Sequence, residues 1–339
     1  GEVGGAQVIV GNLTMLDEAG VEVPPSARQL EADETGRGRI VVHAALGGTF
    51  GGNPVAVLPD AQGLADEELQ KIAREMNLSE TVFVFQPTDP KASAKVRIFT
   101  PTREIPFAGH PILGTFYILG KLKRLPFTEP ITSLFYECNI GVFPIELHVH
   151  KGQILRVVMT QPKPEFLGKV DSPDSALEIA KALGMDKRAI ADAKFPIEVV
   201  STGLPVIIVP VRTLTAVRSI VPNPTAITEF CRRHGANGIM VFTTVTVDEF
   251  STVHTRMFAS PIGILEDPAT GSASGALGAY LVHNGVVEVA ITTEIIAEQG
   301  YEMDRPSRII IQVESDDDII QEVKVGGEVV MVIEGTITL

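Results

Sequence analysis

Apolar residues recur with a helical period in one segment near the start of the chain. Leu69, Ile72, Ala73 and Met76 occupy positions i, i+3, i+4 and i+7, and acidic residues precede them. This spacing is typical of an amphipathic helix that packs one face on a core. Asn77 follows the last apolar residue, and we expect the helix to end there.

Short runs of Val, Ile and Phe between turn-forming residues predict β-strands along most of the chain. The predicted strands are 40–42, 55–58, 81–85, 95–99, 133–136, 142–150, 154–160, 199–200, 206–209, 239–247, 254–258, 293–297, 308–313, 322–325 and 329–339. Two more helices are predicted at 173–183, with Ser172 as the cap, and at 225–234.

Two other predicted helices lack a polar face. The helix after Gly109 is apolar almost all round, and the helix after Gly271 consists mostly of Ala, Gly and Ser until it ends at Gly285. Gly275 and Gly278 each cost roughly 1 kcal/mol relative to alanine in a helix interior. Helices of this kind belong in the interior of a protein. We therefore expect a sheet wrapped around the first helix and close backbone on all sides of the second.

These two apolar helices stand at equivalent places in an internal repeat with a period near 155 residues. In both copies a Glu precedes the Gly that opens the helix by five residues, as Glu104 precedes Gly109 and Glu266 precedes Gly271. Each Glu follows an apolar strand that contains an Arg, and further segments upstream also match. One repeat of this length indicates a duplicated domain rather than a solenoid.

The start of the second apolar helix has the features of an anion site. Asp267 and the proline after it break any preceding element, and Thr270 or Ser272 can serve as the cap. The first backbone amides of the helix, from Gly271 onward, then point outward without intrahelical partners. Such an end attracts negative charge. Since both halves offer a helix start, we expect one site for a carboxylate between them.

Composition and charge narrow the function classes. The 339 residues allow two domains, and 45% apolar content indicates a globular protein without a run long enough to span a membrane. A net charge of −14 argues against nucleic-acid binding. Cys138 and Cys231 are isolated, and no His, Cys and Asp cluster has ligand spacing, so we expect neither a metal nor a disulfide. No signal-peptide pattern opens the sequence, and we expect a cytoplasmic protein.

Four polar residues are candidates for chemistry, each with a structural alternative. Glu80 lies before a buried strand, where burial would raise its pKa; alternatively it caps the strand in solvent. His110 begins the first apolar helix, whose dipole favours a neutral imidazole; alternatively it is a structural histidine. Asp267 could be a simple cap and Ser272 a small residue in a tight place. The repeat, however, puts His110 and Ser272 at equivalent positions.

Several motifs occur in order along the chain, namely the segments 50–57, 72–81, 99–101, 109–111 and 266–273, with the glycine-containing pairs 326–327 and 334–335 near its end. Together they resemble the phenazine-biosynthesis PhzF-like family of the diaminopimelate epimerase fold superfamily. The resemblance runs from about Arg39 to the C-terminus.

The resemblance implies an α+β fold of two pseudo-symmetric domains, each a curled, barrel-like and mostly antiparallel sheet around a central helix. We accordingly predict an N-terminal extension at 1–38, a first domain at 39–150 and a second domain at 151–326. The strand at 327–339 is expected to return to the first domain. Homodimers are usual in this family, so a homodimer is also expected.

The resemblance also implies an isomerase without a cofactor. The residue matching Glu80 moves a proton as general acid and base, while those matching His110, Asp267 and Ser272 hold the substrate or relay protons. The backbone near Gly109 and Gly271 is expected to bind the substrate carboxylate, and Asn53 and Thr270 complete the predicted substrate-binding set.

Two departures from the wider pattern affect the predicted chemistry. Racemases of the superfamily carry a Cys at each helix start, but this chain has His110 and Ser272 there, so two-thiol racemisation is excluded. His43 and Ala45 stand where Asp and Phe are common in the family, which leaves the substrate open. The alternative function is a non-catalytic protein that binds or senses a small anion in the same cleft.

Overall fold

The computed structural model describes residues 2–3, 6–7, 39–42, 51–172, 174–191, 193–316 and 319–337. Within the predicted extension only two short antiparallel strands are described, β1 (Glu2–Val3) and β2 (Ala6–Gln7). The departures at His43 and Ala45 lie outside the described residues. In the part of the chain that is described, no helix has the length and apolar character to cross a membrane.

Strands dominate the rest of the described chain. They are β3 (Arg39–Val42), β4 (Val55–Leu58), β5 (Glu80–Phe85), β6 (Ala94–Phe99), β7 (Glu104–Ile105), β8 (Ile131–Cys138), β9 (Gly141–His150), β10 (Gln153–Thr160), β11 (Glu165–Lys169), β12 (Glu198–Ser201), β13 (Pro205–Pro210), β14 (Ile239–Thr243), β15 (Val253–Ala259), β16 (Ile264–Asp267), β17 (Thr292–Gln299), β18 (Ser307–Asp316), β19 (Ile319–Gly327) and β20 (Ile333–Thr336). The α-helices are α1 (Asp66–Met76), α2 (Gly109–Lys121), α3 (Ser175–Leu183), α4 (Arg188–Ala191), α5 (Leu214–Arg218), α6 (Pro224–Arg233) and α7 (Gly271–His283).

The predicted helices are present, with local corrections. The first ends at Asn77, whose backbone is left-handed with φ of 49°. Helix α3 begins at Ser175 rather than at 173, and Asp174 rather than Ser172 is its N-cap residue. The strand predicted at 239–247 already ends at Thr243, and the C-terminal prediction shortens to β20.

Strands β3 to β20 form one continuous mixed sheet in which most pairs are antiparallel, whereas β1 and β2 pair only with each other. The pairing order is β20-β3-β4-β5-β6-β8-β9-β10-β19-β18-β17-β15-β14-β13-β12-β11, with β7 on β6 and β16 on β15. The pairings from β3 to β10 recur in the same order and sense from β12 to β19. For example, β4 pairs parallel with β5, as β13 does with β14.

The repeat extends to a pair of ion pairs. Arg97 donates from Nε and Nη2 to both carboxylate oxygens of Glu104, at 2.8 and 2.7 Å. Arg256 makes the same two-pronged contact with Glu266, at 2.7 and 2.8 Å. Each ion pair fixes the short strand that leads to a central helix, so the same type of interaction positions both helix starts.

The main hydrophobic core surrounds α2 and α7. Helix α2 packs on β4, β5 and β10, and α7 packs on β12, β13, β17, β18 and β19. Two smaller cores lie on the outer faces of the sheet, one under α3 and α6 and the other under α1. The sheet therefore encloses the two apolar helices and leaves the amphipathic ones outside, as their polar faces require.

The glycines of α7 make room for side chains, and the expectation of close backbone around this helix was wrong. A β-carbon on Gly275 would stand 2.9 Å from Oγ1 of Thr202 and 3.1 Å from Cγ of Gln161. One on Gly278 would stand 2.4 Å from Cγ2 of Ile311. The absence of a side chain at Gly275 and Gly278 thus lets side chains of surrounding residues pack directly onto the backbone of α7.

Candidate active site

A cavity of about 630 Å³ lies between the N-terminal ends of α2 and α7. The two helix starts approach closely, since a β-carbon on Gly109 would stand 3.9 Å from the backbone nitrogen of Ser272. All eight predicted site residues line this cavity, namely Asn53, Glu80, Gly109, His110, Asp267, Thr270, Gly271 and Ser272. The structure therefore brings the two halves of the predicted set to one place, while the roles assigned to these residues remain predictions.

Glu80 and His110 face each other within the first half. The left-handed residue Asn77 ends α1, and the chain then enters β5, where Glu80 pairs with Val55 of β4. Oε2 of Glu80 lies 3.1 Å from Nε2 of His110, and each residue is only 9% exposed. The alternative that Glu80 caps its strand in solvent is thus wrong.

The pKa values of this pair are shifted in the directions opposite to those expected from the sequence. Burial alone would raise the pKa of Glu80, but the neighbouring His110 and a hydrogen bond from Ser79 outweigh it, so the pKa lies below its usual value. Burial would likewise lower the pKa of His110, but Glu80 and Asp267 raise it. The charged form of each residue therefore stabilises the charged form of the other.

Asp267 reaches the same cavity from the end of β16 in the second half. Asn53, from the first half, donates its side-chain amide to Oδ1 of Asp267 at 2.8 Å, and the hydroxyl of Thr270 donates to Oδ2. Thr270 is the N-cap residue of α7 by position, but its hydroxyl is used on Asp267 rather than on the helix amides. These amides stay available to a ligand.

Burial raises the pKa of Asp267 to about 6, although His110 and the hydrogen bonds from Thr270 and Asn53 act in the opposite direction. Glu80 adds to the increase, because two carboxylates in one cavity disfavour each other's charge. The site therefore contains one carboxylate that is ionised at neutral pH and a second that titrates close to it.

Ser272 occupies the position in α7 that His110 occupies in α2. The side chain of Thr202 donates to the backbone carbonyl of Ser272 at 3.1 Å, which fixes the first turn of the helix against the cavity wall. The remaining wall is mostly apolar, with Phe107, Phe143 and Met257 among its members. Such a wall suits a small ring or unsaturated compound that carries its charge at one end.

Sequence reasoning missed two polar residues near the helix starts. Gln299, fully buried at the end of β17, donates its amide to the carbonyl of Asp267 at 2.6 Å and to the hydroxyl of Thr270 at 3.1 Å. Gln161, directly after β10, lines the cavity. The one sequence signal that could have identified them was a polar residue at the end of an apolar strand.

Among the described residues, no group of three or more His, Cys, Asp or Glu side chains is suited to a metal ion.

Comparison with known proteins shows the family to which the chain belongs. The chain matches the family described as phenazine biosynthesis-like protein over residues 46–335. It is 35% identical over 306 residues to trans-2,3-dihydro-3-hydroxyanthranilate isomerase of Pseudomonas chlororaphis, covering 88% of this chain and 99% of that protein. It is 34% identical over 294 residues to an uncharacterized isomerase of Clostridium acetobutylicum, covering 86% and 94%.

A solved structure has the same fold as this chain, and the match extends over nearly the whole of the solved protein. The crystal structure of the Bacillus anthracis phenazine biosynthesis protein of the PhzF family superposes with a TM-score of 0.79 at 30% identity, covering 89% of this chain and 99% of that one. Sequence and fold agree over the segment that contains both helix starts and the cavity between them. The chain therefore belongs to the phenazine biosynthesis-like (PhzF) family and is an isomerase of that family.

Proposed function

We propose that the chain isomerises a small carboxylate-bearing compound by moving a proton within it, without a cofactor, and that Glu80 is the general acid and base. The observation that carries this proposal is the contact of 3.1 Å between Glu80 and His110 in a cavity between two helix N-termini. A lowered pKa keeps Glu80 ionised, so it is ready to accept a proton.

The proton transfer balances within the site. Glu80 takes a proton from a carbon of the substrate, and the electron pair of that C–H bond moves into the adjacent conjugated system. The neutral carboxyl group of Glu80 then returns the proton to another carbon. His110 stabilises Glu80 whenever that residue is charged, and Asp267, with a pKa near neutrality, exchanges protons readily with the surrounding groups.

The substrate carboxylate is proposed to bind at the two helix starts. Backbone amides at the starts of α2 and α7 have no partner within their helices, and Gly109 and Gly271 both line the cavity. Negative charge that develops on the substrate during proton removal is stabilised by the same amides, as in an oxyanion hole. Asn53 and Thr270 hold Asp267 in place beside this point.

The relative from Pseudomonas chlororaphis is named for trans-2,3-dihydro-3-hydroxyanthranilate. By its name this compound is a partly saturated ring with a carboxylate, an amine and a hydroxyl group. A ring of that size suits the mostly apolar cavity of about 630 Å³. We therefore propose cyclic unsaturated acids with polar substituents as the first compounds to test.

The test is solvent exchange followed by NMR in deuterated water. We expect the wild-type protein to introduce deuterium into a bound candidate acid, and Glu80→Gln to abolish this exchange while the acid still binds. Glu75→Gln, at an exposed position on α1, is the matched control and should exchange normally. Exchange retained in Glu80→Gln contradicts the role of Glu80; a substrate that binds to wild-type protein and never exchanges favours a binding protein.

Three further predictions concern the domains, the oligomeric state and the cellular location. We propose that the sheet segments around α2 and α7 correspond to two pseudo-symmetric domains of the diaminopimelate epimerase type, which the sequence predicts at 39–150 and 151–326. The repeated pairings place β10 (Gln153–Thr160) with the first of these domains rather than with the second. The pairing of β20 with β3 supports the return of the C-terminal strand to the first domain. We also propose a homodimer, which light scattering after size exclusion measures directly, and a cytoplasmic location.

A further inference from the structure

Gln161 has an amide group that is buried without any hydrogen-bond partner. The residue is 5% exposed, and neither Oε1 nor Nε2 of its side chain has a partner among the described residues. Its backbone is held, since its N–H donates to the carbonyl of Val323 at 2.8 Å. A buried amide that makes no hydrogen bond is unfavourable and uncommon in folded proteins. The fold alone therefore does not account for this buried amide group.

The position of Gln161 in the cavity wall explains why its amide lacks a partner within the protein. The residue lines the cavity between α2 and α7, and its side chain packs over Gly275, one helical turn beyond Gly271. It therefore belongs to the part of the wall next to α7, together with Thr202, whose Oγ1 also lies against Gly275. Glu80 and His110, in contrast, lie on β5 and α2.

We infer that Gln161 is a substrate-recognition residue, whose amide binds a neutral hydroxyl or amine substituent on the carboxylate substrate. The inference rests on the proposed function, because it takes the carboxylate to lie at the helix starts. A glutamine amide both donates and accepts hydrogen bonds, as a hydroxyl or amine group also does. A substituent of this kind satisfies both side-chain atoms of Gln161 that lack protein partners, and an apolar substituent satisfies neither.

The inference predicts discrimination between otherwise similar acids. A site that hydrogen-bonds a substituent rejects the analogue that lacks it, because its own buried polar atoms are then left unpaired. We expect wild-type protein to bind at least one of anthranilate and 3-hydroxybenzoate about tenfold more tightly than benzoate, which corresponds to one hydrogen bond.

The decisive variant is Gln161→Met, which keeps the length of the side chain and removes the amide. Calorimetric titration should show that the preference for the substituted acid is lost, while the affinity for benzoate stays within twofold of wild type. Since the amide has no hydrogen-bond partner among the described residues, the thermal unfolding midpoint should stay the same or rise. Gln153→Met, at an exposed position on β10, is the matched control and should keep the preference.

Gly275→Ala tests the same inference with the amide retained. Its new β-carbon would stand 3.1 Å from Cγ of Gln161, so the glutamine must shift, and we expect part of the preference to be lost. If Gln161→Met keeps the preference, or if its unfolding midpoint falls sharply because the amide is structural, the inference is wrong and the proposed function is unaffected. Equal binding of all three acids to wild-type protein refutes the inference in the same way. If wild-type protein binds none of the acids, the carboxylate site is refuted, and the inference fails with it.

Discussion

Replacing Asp267 with Asn should change how the stability of the protein depends on pH. The pKa of Asp267 is about 6 in the folded protein, compared with an ordinary value of 3.8. Between these values the folded state keeps a proton that the unfolded state releases. The contribution of Asp267 to stability is therefore fully present below pH 3.8 and is lost as the pH rises through 6.

The size of this effect on stability follows from the difference of about two pH units between the folded and ordinary pKa values of Asp267. At about 1.36 kcal/mol per unit, ionisation of Asp267 costs the folded protein about 3 kcal/mol by neutral pH. Asn carries no charge, so Asp267→Asn lacks this loss. Between pH 4.5 and pH 7.5, where about 2 kcal/mol of the effect falls, the free energy of unfolding of wild-type protein should decline relative to that of the variant by this amount.

Urea denaturation at pH 4.5, 5.5, 6.5 and 7.5 measures this difference. Only the change with pH is compared, because the hydrogen bonds that Asn53 and Thr270 make to Asp267 add a constant difference between the two proteins. Asp171→Asn, at an exposed position, controls for the substitution itself. Parallel pH profiles for wild type and Asp267→Asn, or a relative gain in wild-type stability at higher pH, would refute the reasoning about burial.

Two further predictions concern packing and the repeated ion pairs. Gly278→Ala should lower the free energy of unfolding by about 1–3 kcal/mol, because the new β-carbon would stand 2.4 Å from Cγ2 of Ile311; urea denaturation measures this, with the open position Gly335→Ala as control. Arg256→Leu should cost about 3–5 kcal/mol by the same assay, since the Arg256 side chain is 6% exposed and its partner would be left charged. Arg97→Leu should cost clearly less, because its side chain is 21% exposed; equal losses in the two variants would contradict this explanation.

The helices were predictable where their signals are local. The apolar spacing of α1 and the left-handed Asn77 after it depend only on neighbouring residues, and the structure confirms both. Strand β11 (Glu165–Lys169) was missed because most of its residues are exposed and show no apolar alternation. Helix α5 (Leu214–Arg218) has only five residues, too few for a periodic pattern to be recognised.

The composition of the cavity was predictable from the repeat and the family motifs, but its electrostatics were not. The direction of the Glu80 pKa depends on the 3.1 Å separation from His110, and two positions 30 residues apart in the sequence carry no information about that distance. Gln161 was missed for a related reason. A polar residue after a strand normally meets solvent, and only the fold reveals that this one is enclosed.

The junction between β10 and β19 has a consequence for the ancestry of the chain. These are corresponding strands of the two halves, and they pair with each other antiparallel, with Val157 opposite Gly327 and Thr160 opposite Lys324. Two identical copies of a single half, related by a twofold axis, would associate through that same contact. Joining two such halves in one chain makes the association permanent and allows their sequences to differ. One helix start could then acquire an imidazole and the other a hydroxyl, a difference that a symmetric pair of identical subunits cannot encode.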